Sequence, residues 1–343
     1  MYLSPYAIPL VLVNGGFVVA LIWHAIASKA IASRRDAALL ACAFGVSAAV
    51  TPILLKWAGS TDAGEDLMYL VGTIFFGSVL AVLVAIVVRN LVICNQHPEE
   101  RAKRSYEDFL TSLPTNDATR RDNSRKVLHA VISVAPLIVY WTVLSLDAYF
   151  KSINILQEYG ATGLAAGRGV NIIIYWGFSY MATLEDLFRL NAFHCIPNWG
   201  RLWLRTSLES KEHRTFTAAV PFLLGHVPLL LAPFPAFFST SFVASIGDAA
   251  GSVFGKRFGK HKLPRSKKTY EGLIAGMLVS FIAVLIVNLA FDPSNMAFAV
   301  TFAAIIACIF GLFDATITKV DDNYMNTFVL GAIAWILYLL MHT

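Results

Sequence analysis

Residues 273–313 read LIAGMLVSFIAVLIVNLAFDPSNMAFAVTFAAIIACIFGLF. Two runs, 273–291 and 296–313, carry no Asp, Glu, Lys or Arg and are parted only by Asp292-Pro293-Ser294-Asn295. About 20 mostly apolar residues cross the hydrocarbon core as a helix, so the stretch reads as two membrane spans joined by a tight turn. Working outward, comparable stretches lie at 5–27, 37–57, 67–88, 127–147, 169–189, 216–234, 237–255 and 324–341. The fold expected is all-α, a polytopic membrane bundle of about ten transmembrane helices. The sixth and seventh spans meet among Pro228, Pro233 and Pro235, where proline ends a helix and suits a hairpin through Ala232-Pro233-Phe234-Pro235.

Composition excludes a water-soluble domain. The 343 residues are 57% hydrophobic and 14% charged, with a mean hydropathy of +0.63, whereas soluble domains carry roughly 25% charged residues. The stretch 5–27 is too long for a signal-peptide core and has no basic lead-in, so it reads as a retained span. Cys42, Cys94, Cys195 and Cys308 lie far apart without metal spacing and fall in or beside apolar segments, as small hydrophobes do.

Charge sets the orientation. Of the 27 Lys and Arg, all but Lys56, Lys151 and Arg168 fall in one set of alternating loops. Lys/Arg excess marks the cytoplasmic face, so both termini are expected outside. The polar stretch 95–124, with Pro98, Pro114 and Thr115-Asn116-Asp117, reads as a cytoplasmic linker with one short helix near Arg101–Leu113. It parts three N-terminal spans (1–95) from a seven-helix domain (125–343).

The densest polar signal runs from Ser245 to Gly276: SIGDAAGSVFGKRFGKHKLPRSKKTYEGLIAG. Asp248 sits in an apolar span, near the expected cytoplasmic end of helix seven. Gly247, Gly251, Gly255 and Gly259 recur every four residues and form one bare helical stripe, which suits close helix packing and also close approach of a ligand. Lys256, Arg257, Lys260, His261, Lys262, Arg265, Lys267 and Lys268 follow. They suit a positive-inside loop, and with glycines among them they also suit a polyphosphate. Lys267-Lys268-Thr269-Tyr270-Glu271-Gly272 closes the run, Glu271 being placed for Mg²⁺ or a nucleotide. The spacing is not that of a Walker A loop.

Further polar groups are expected at the same face. Arg125 and Lys126 open the fourth span, with His129 one turn on, and Arg205 and Glu209 stand four apart before the sixth. Asp321-Asp322-Asn323 opens the tenth, as a helix cap or as oxygen ligands. Glu185 and Asp186 lie within reach of Arg189, which can pair with either. His24, His226 and His342 are isolated and read as packing residues.

Taken together, Arg125-Lys126-x-x-His129, Arg205 with Glu209, Gly247-Asp248-x-x-x-Ser252-x-x-Gly255, Lys267-Lys268-Thr269-x-Glu271-Gly272 and Asp322-Asn323 resemble the CTP-dependent lipid-alcohol kinases. That family includes dolichol, phytol and fungal-type diacylglycerol kinases and is related to the phosphatidate cytidylyltransferases; the wording here is closest to dolichol kinase. The resemblance covers roughly residues 125–341. It implies transfer of the γ-phosphoryl group of CTP to a membrane isoprenoid alcohol, with Mg²⁺ or another divalent cation. In that reading Asp248, Asp322 and Glu271 are catalytic, and Asp248, Glu271, Asp321 and Asp322 hold metal. Nucleotide contacts fall to Lys126, His129, Arg205, Glu209, Gly247, Gly251, Ser252, Gly255, Lys256, Gly259, Lys260, Lys267, Lys268, Thr269, Gly272 and Asn323. The partners implied are CTP and a lipid alcohol and not nucleic acid, with a homodimer allowed. The membrane implied is the endoplasmic reticulum of a eukaryote or the cell membrane of a prokaryote, the site facing the cytoplasm. The rival readings are a lipid transporter or scramblase, which would spread polar groups through the membrane depth, and a cytidylyltransferase.

Overall fold

A chain this apolar satisfies its backbone by coiling, because hydrocarbon offers no hydrogen-bond partner to an extended strand. The computed structural model describes residues 7–59, 62–113, 118–152, 163–264, 266, 268–316 and 322–342; of Asp322 it describes the backbone but not the side chain. Arg265, Lys267, Lys319, Asp321 and the turn at 115–117 lie outside the described residues. The helices are α1 (Ala7–Ala27), α2 (Ile31–Gly59), α3 (Asp62–Gln96), α4 (Pro98–Ala102), α5 (Tyr106–Thr111), α6 (Ala118–Ser145), α7 (Asp147–Ser152) and α8 (Gly163–Asn191). They continue with α9 (Asn198–Ser207), α10 (Ala219–His226), α11 (Phe234–Phe242), α12 (Asp248–Phe258), α13 (Tyr270–Phe291), α14 (Met296–Ala315), α15 (Asp322–Tyr324) and α16 (Leu330–His342).

Among the described residues, seven helical stretches are long and apolar enough to cross a bilayer: Ile8–Ala27, Ile31–Ile53, Asp66–Gln96, Ser124–Ser145, Tyr270–Phe291, Met296–Ala315 and Met325–His342. The protein is thus a helical, membrane-embedded chain. The other three expected spans take different forms. The stretch 169–189 is the body of α8, a 29-residue helix that carries Arg168, Glu185, Asp186 and Arg189. The stretch 216–234 is broken: α10 gives way to a 3-10 turn at Pro228–Leu231. Ala219–Leu231 is an apolar helical stretch shorter than the seven. The stretch 237–255 is continuous, but α11 passes through a π turn (Val243–Gly247) before becoming α12. The linker holds two short helices, α4 and α5, where one was expected. Ser105 caps α5 by accepting from the Asp108 N–H.

The chain forms two compact units. The first comprises 1–125 and 139–224, the second 126–138 and 225–343. The first three helices therefore pack with α8 and are not a free-standing appendage. Phe17, Phe44, Trp176 and Tyr180 stack at their centre, with ring centroids 5.1–6.2 Å apart. The buried polar tips find partners: Tyr180 Oη donates to Asn14 Oδ1 (2.8 Å) and Trp176 Nε1 to Thr51 Oγ1 (2.9 Å). Aromatic bodies with satisfied tips fix helix register more tightly than aliphatic contact alone.

In the second unit, α12 and α13 cross through small residues. A Cβ on Gly272 would lie 2.6 Å from the Gly251 carbonyl and 2.9 Å from the Gly255 Cα, and one on Gly276 would lie 3.2 Å from the Gly247 carbonyl. The glycine stripe is therefore spent on helix contact, as small residues in membrane helices commonly are. The obstacles at Gly272 are backbone atoms that cannot swing aside. Gly272→Ala is expected to cost about 1–3 kcal/mol of stability through overpacking. Gly16→Ala, where nothing lies within 4 Å of the new Cβ, should cost nothing. Thermal unfolding of the detergent-solubilised variants checks the contrast.

Candidate functional site

The second unit gathers the strongest candidates around Asp248. The carboxylate stands directly after the π turn, where helical hydrogen bonding is already disturbed and where functional groups often gather. Lys126 Nζ donates to Asp248 Oδ2 at 2.8 Å and to the Asp248 carbonyl at 3.2 Å. Lys126 is buried, its side chain 7% exposed, while that of Asp248 is 29% exposed. A cation with little access to water thus fixes a carboxylate that keeps an open side. His129, one turn further along α6, is buried, and Ser133 Oγ donates to the Ser241 carbonyl at 3.1 Å, holding α6 against the segment that carries Asp248.

A second π turn, Met325–Val329, follows α15. It touches the first, and α11 packs on α16. As the chain runs forward through α11 and its π turn, it therefore meets the last helix in reverse order, so the two are antiparallel. Asp248 follows one π turn and Asp322–Tyr324 precedes the other. The backbones of Asp248, Asp322 and Asn323 thus lie at the same end of this helix pair. Thr327 Oγ1 donates to the Asn323 carbonyl, tying that end together.

The basic hairpin between α12 and α13 is built by its own residues. Leu263 N donates to the Lys268 carbonyl and Tyr270 N to the His261 carbonyl, both at 2.9 Å, with Lys262 bridged to Thr269. Thr269 caps α13, its hydroxyl accepting from Gly272 N at 3.2 Å. Glu271 folds back onto the hairpin: His261 N–H donates to both carboxylate oxygens (3.2 and 3.3 Å), and His261 Nδ1 lies 2.6 Å from Oε1. Lys268 Nζ pairs with Asp314 Oδ1 at 2.6 Å. Lys256 and Lys260 are exposed and Ser252 is half-buried.

Several expected roles change. Gly247, Gly251 and Gly255 turn the side where a Cβ would stand to α13, so that side serves helix contact. A Cβ on Gly259 would likewise meet the Thr269 side chain at 2.5 Å, and Thr269 and Gly272 are joined as a cap. Glu271 clasps the hairpin through His261; among the described residues no group of three or more His, Cys, Asp or Glu is placed to hold a metal ion. Asp248 is the first residue of α12, which follows the π turn directly and continues to Phe258.

Arg205 and Glu209 belong to the first unit and do not pair. Arg205 reaches Ser112 Oγ at 3.2 Å. Glu209 instead meets Arg125 at 2.9 Å, and Arg125 is further held by Asp122 (3.1 Å) and Glu212 (3.3 Å). Burial pushes the Glu212 carboxyl above its ordinary range, and Arg125 pulls it back. Glu209 and Glu212 also form a reciprocal capping box at a short 3-10 turn. Arg189 pairs with Asp186.

Two contributors escape a motif search. Asp314, partner of Lys268, ends an apolar helix, and its only sequence mark is a carboxylate closing an uncharged run. Glu212 lies three residues from Glu209, the spacing of a capping box. Compared with family models, with curated proteins and with solved structures, the chain matches none of them.

Proposed function

We propose that the chain is a lipid-alcohol kinase that transfers the γ-phosphoryl group of CTP to the hydroxyl of a membrane isoprenoid alcohol of the dolichol or polyprenol type. The observation that carries this reading is the half-open Asp248 carboxylate held by the buried Lys126 ammonium 2.8 Å away, inside a helix bundle of membrane character. A hydroxyl on a lipid can approach such a group sideways, and a nucleotide can approach from the basic hairpin. In the same reading the Lys/Arg-rich side faces the cytoplasm, the chain crosses the membrane ten times, and both termini lie outside.

Phosphoryl transfer asks mainly for positioning and charge neutralisation. Asp248 accepts the alcohol proton as the alcohol oxygen attacks the γ-phosphorus. The bond to the bridging oxygen breaks, and CDP leaves with the electron pair. Lys126 orients the Asp248 carboxylate and balances charge beside it, while Lys268, Lys256 and Lys260 attract the phosphates. Mg²⁺ commonly takes one or two carboxylates plus substrate phosphates; in this reading Asp248 and Asp322 would hold it, whereas Glu271 is engaged by His261. The ion would supply neutralisation of the β- and γ-oxygens.

The assay is purified protein in lipid nanodiscs with γ-labelled or α-labelled CTP, Mg²⁺, and a panel of polyprenols, phytol-like alcohols and diacylglycerol. Label from the γ position in a polyprenol supports the proposal. Label from the α position indicates a cytidylyltransferase, and label in no lipid overturns the enzyme reading. A second expected result concerns the donor side. Lys268→Ala should raise KM for CTP roughly tenfold by removing one charge-assisted contact, with a smaller change in kcat, as steady-state kinetics would show.

A further inference from the structure

Helix α9, NWGRLWLRTS over Asn198–Ser207, begins seven residues beyond the end of α8 and belongs to neither expected span beside it. At about 100° per residue it has three faces. Gly200 and Leu204 point inward, Leu204 joining Phe109, Leu113, Phe193, Ile196 and Leu208 in a small core. Arg201 and Arg205 form a second face. Trp199, Leu202 and Trp203 form the third and stand 59%, 64% and 45% exposed. A ten-residue helix with an inward face already packed has no internal need for two exposed tryptophans and a leucine.

We propose that α9 is an interfacial anchor, lying in the plane of an anionic leaflet with Trp199, Leu202 and Trp203 in the headgroup–acyl boundary and Arg201 and Arg205 directed to lipid phosphates. Tryptophan favours that boundary because its ring is apolar while its N–H stays hydrated. Short amphipathic helices with arginine beside such a face bind there by apolar burial and by attraction to anionic headgroups. The surroundings match in charge. Arg104 lies near enough to Arg201 to lower its proton affinity, after the larger effect of burial, so cations crowd this side and favour an anionic neighbour. Arg201 also donates to Asn198 Oδ1 and Arg205 to Ser112 Oγ, contacts that aim the guanidinium groups and leave further N–H donors for phosphate. Membrane proximity comes from the chain itself, since α9 follows α8 by a short connection in a protein whose described residues include seven bilayer-length apolar helices.

The test uses the full chain with its two exposed cysteines, Cys42 and Cys308, replaced by serine, Cys94 and Cys195 being buried. A spin label is placed at Leu202→Cys, or at the exposed control Ser210→Cys, in nanodiscs of phosphatidylglycerol and phosphatidylcholine. Collisions with oxygen, which partitions into lipid, should exceed those with a water-soluble nickel complex at position 202, and the order should reverse at 210. A nickel-dominated signal at 202 places the helix in water, and a label shielded from both reagents places it under protein; either overturns the anchor. Adding Arg201→Gln and Arg205→Gln should lower the oxygen-to-nickel ratio at 202 in phosphatidylglycerol discs and leave it unchanged in pure phosphatidylcholine. An unchanged ratio in both removes the phosphate contact.

Discussion

Asp248→Asn should lower lipid phosphorylation on the order of 10²- to 10⁴-fold, the range expected when a positioned general base is lost. The asparagine keeps the shape and can still accept a hydrogen bond from Lys126, so the protein should insert and unfold much as the parent does. A loss of turnover at unchanged stability therefore reports on chemistry. Lys126→Met attacks the same pair from the other side: it leaves Asp248 in place but removes the ammonium that lies 2.8 Å from it. Both variants should depress kcat/KM through kcat, as expected for groups that act in the transition state. Full turnover by Asp248→Asn would remove this residue from the site and leave the Lys126 pair as packing.

Asp186→Ala should cost about 3–5 kcal/mol, because breaking a buried ion pair leaves an uncompensated charge. Both partners are buried, Arg189 at 0% and Asp186 at 1% side-chain exposure. Asp186 Oδ1 lies 2.8 Å from Arg189, and its Oδ2 accepts from the Thr217 N–H (2.6 Å) and hydroxyl (2.9 Å). Arg189 also donates to Tyr106 Oη and to the Glu212 carbonyl. One arginine thus ties α8 to the linker helix α5 and to the loop before α10. Glu185 makes the contrast: its Oε1 is buried without a hydrogen-bond partner. Glu185→Gln should change stability little, since it keeps the size of a buried group whose Oε1 already lacks a hydrogen-bond partner. Thermal unfolding midpoints of the two variants, moving down sharply for the first and little for the second, check the assignment.

The sequence made the helical membrane character plain, because uncharged runs such as 273–291 and 296–313 have no other stable form in a bilayer. Their observed helices, Tyr270–Phe291 and Met296–Ala315, keep those limits within a few residues. It was less able to show how a helix is interrupted. Pro228 and its neighbours pointed to a break, but the π turns at Val243–Gly247 and Met325–Val329 carry no local mark, since any apolar run accommodates them. At the site, Lys126 and Asp248 were both legible as candidates, yet 122 residues part them, and no spacing rule says they touch. Glu271 and Arg205 were legible as polar residues in a basic neighbourhood. Their partners, His261 and Ser112, were decided by loop closure and helix packing, which composition does not encode. The glycine stripe was read correctly as a bare face, and only the three-dimensional fold shows that another helix covers it.

The π turn before Asp248 also sets a rotational phase. Eight α-helical steps from Ser239 to Gly247 would overshoot two full turns by about 80°, turning one residue away when the other faces a neighbour. Absorbing one extra residue makes the interval behave as about seven steps, and the mismatch falls to about 20°. Ser239, which accepts from Asn288 Nδ2, and the Gly247 stripe can then share one seam along α13. The bulge works as a vernier: it lets a single partner helix be followed over its whole length while the next residue, Asp248, is swung onto the adjoining face toward Lys126.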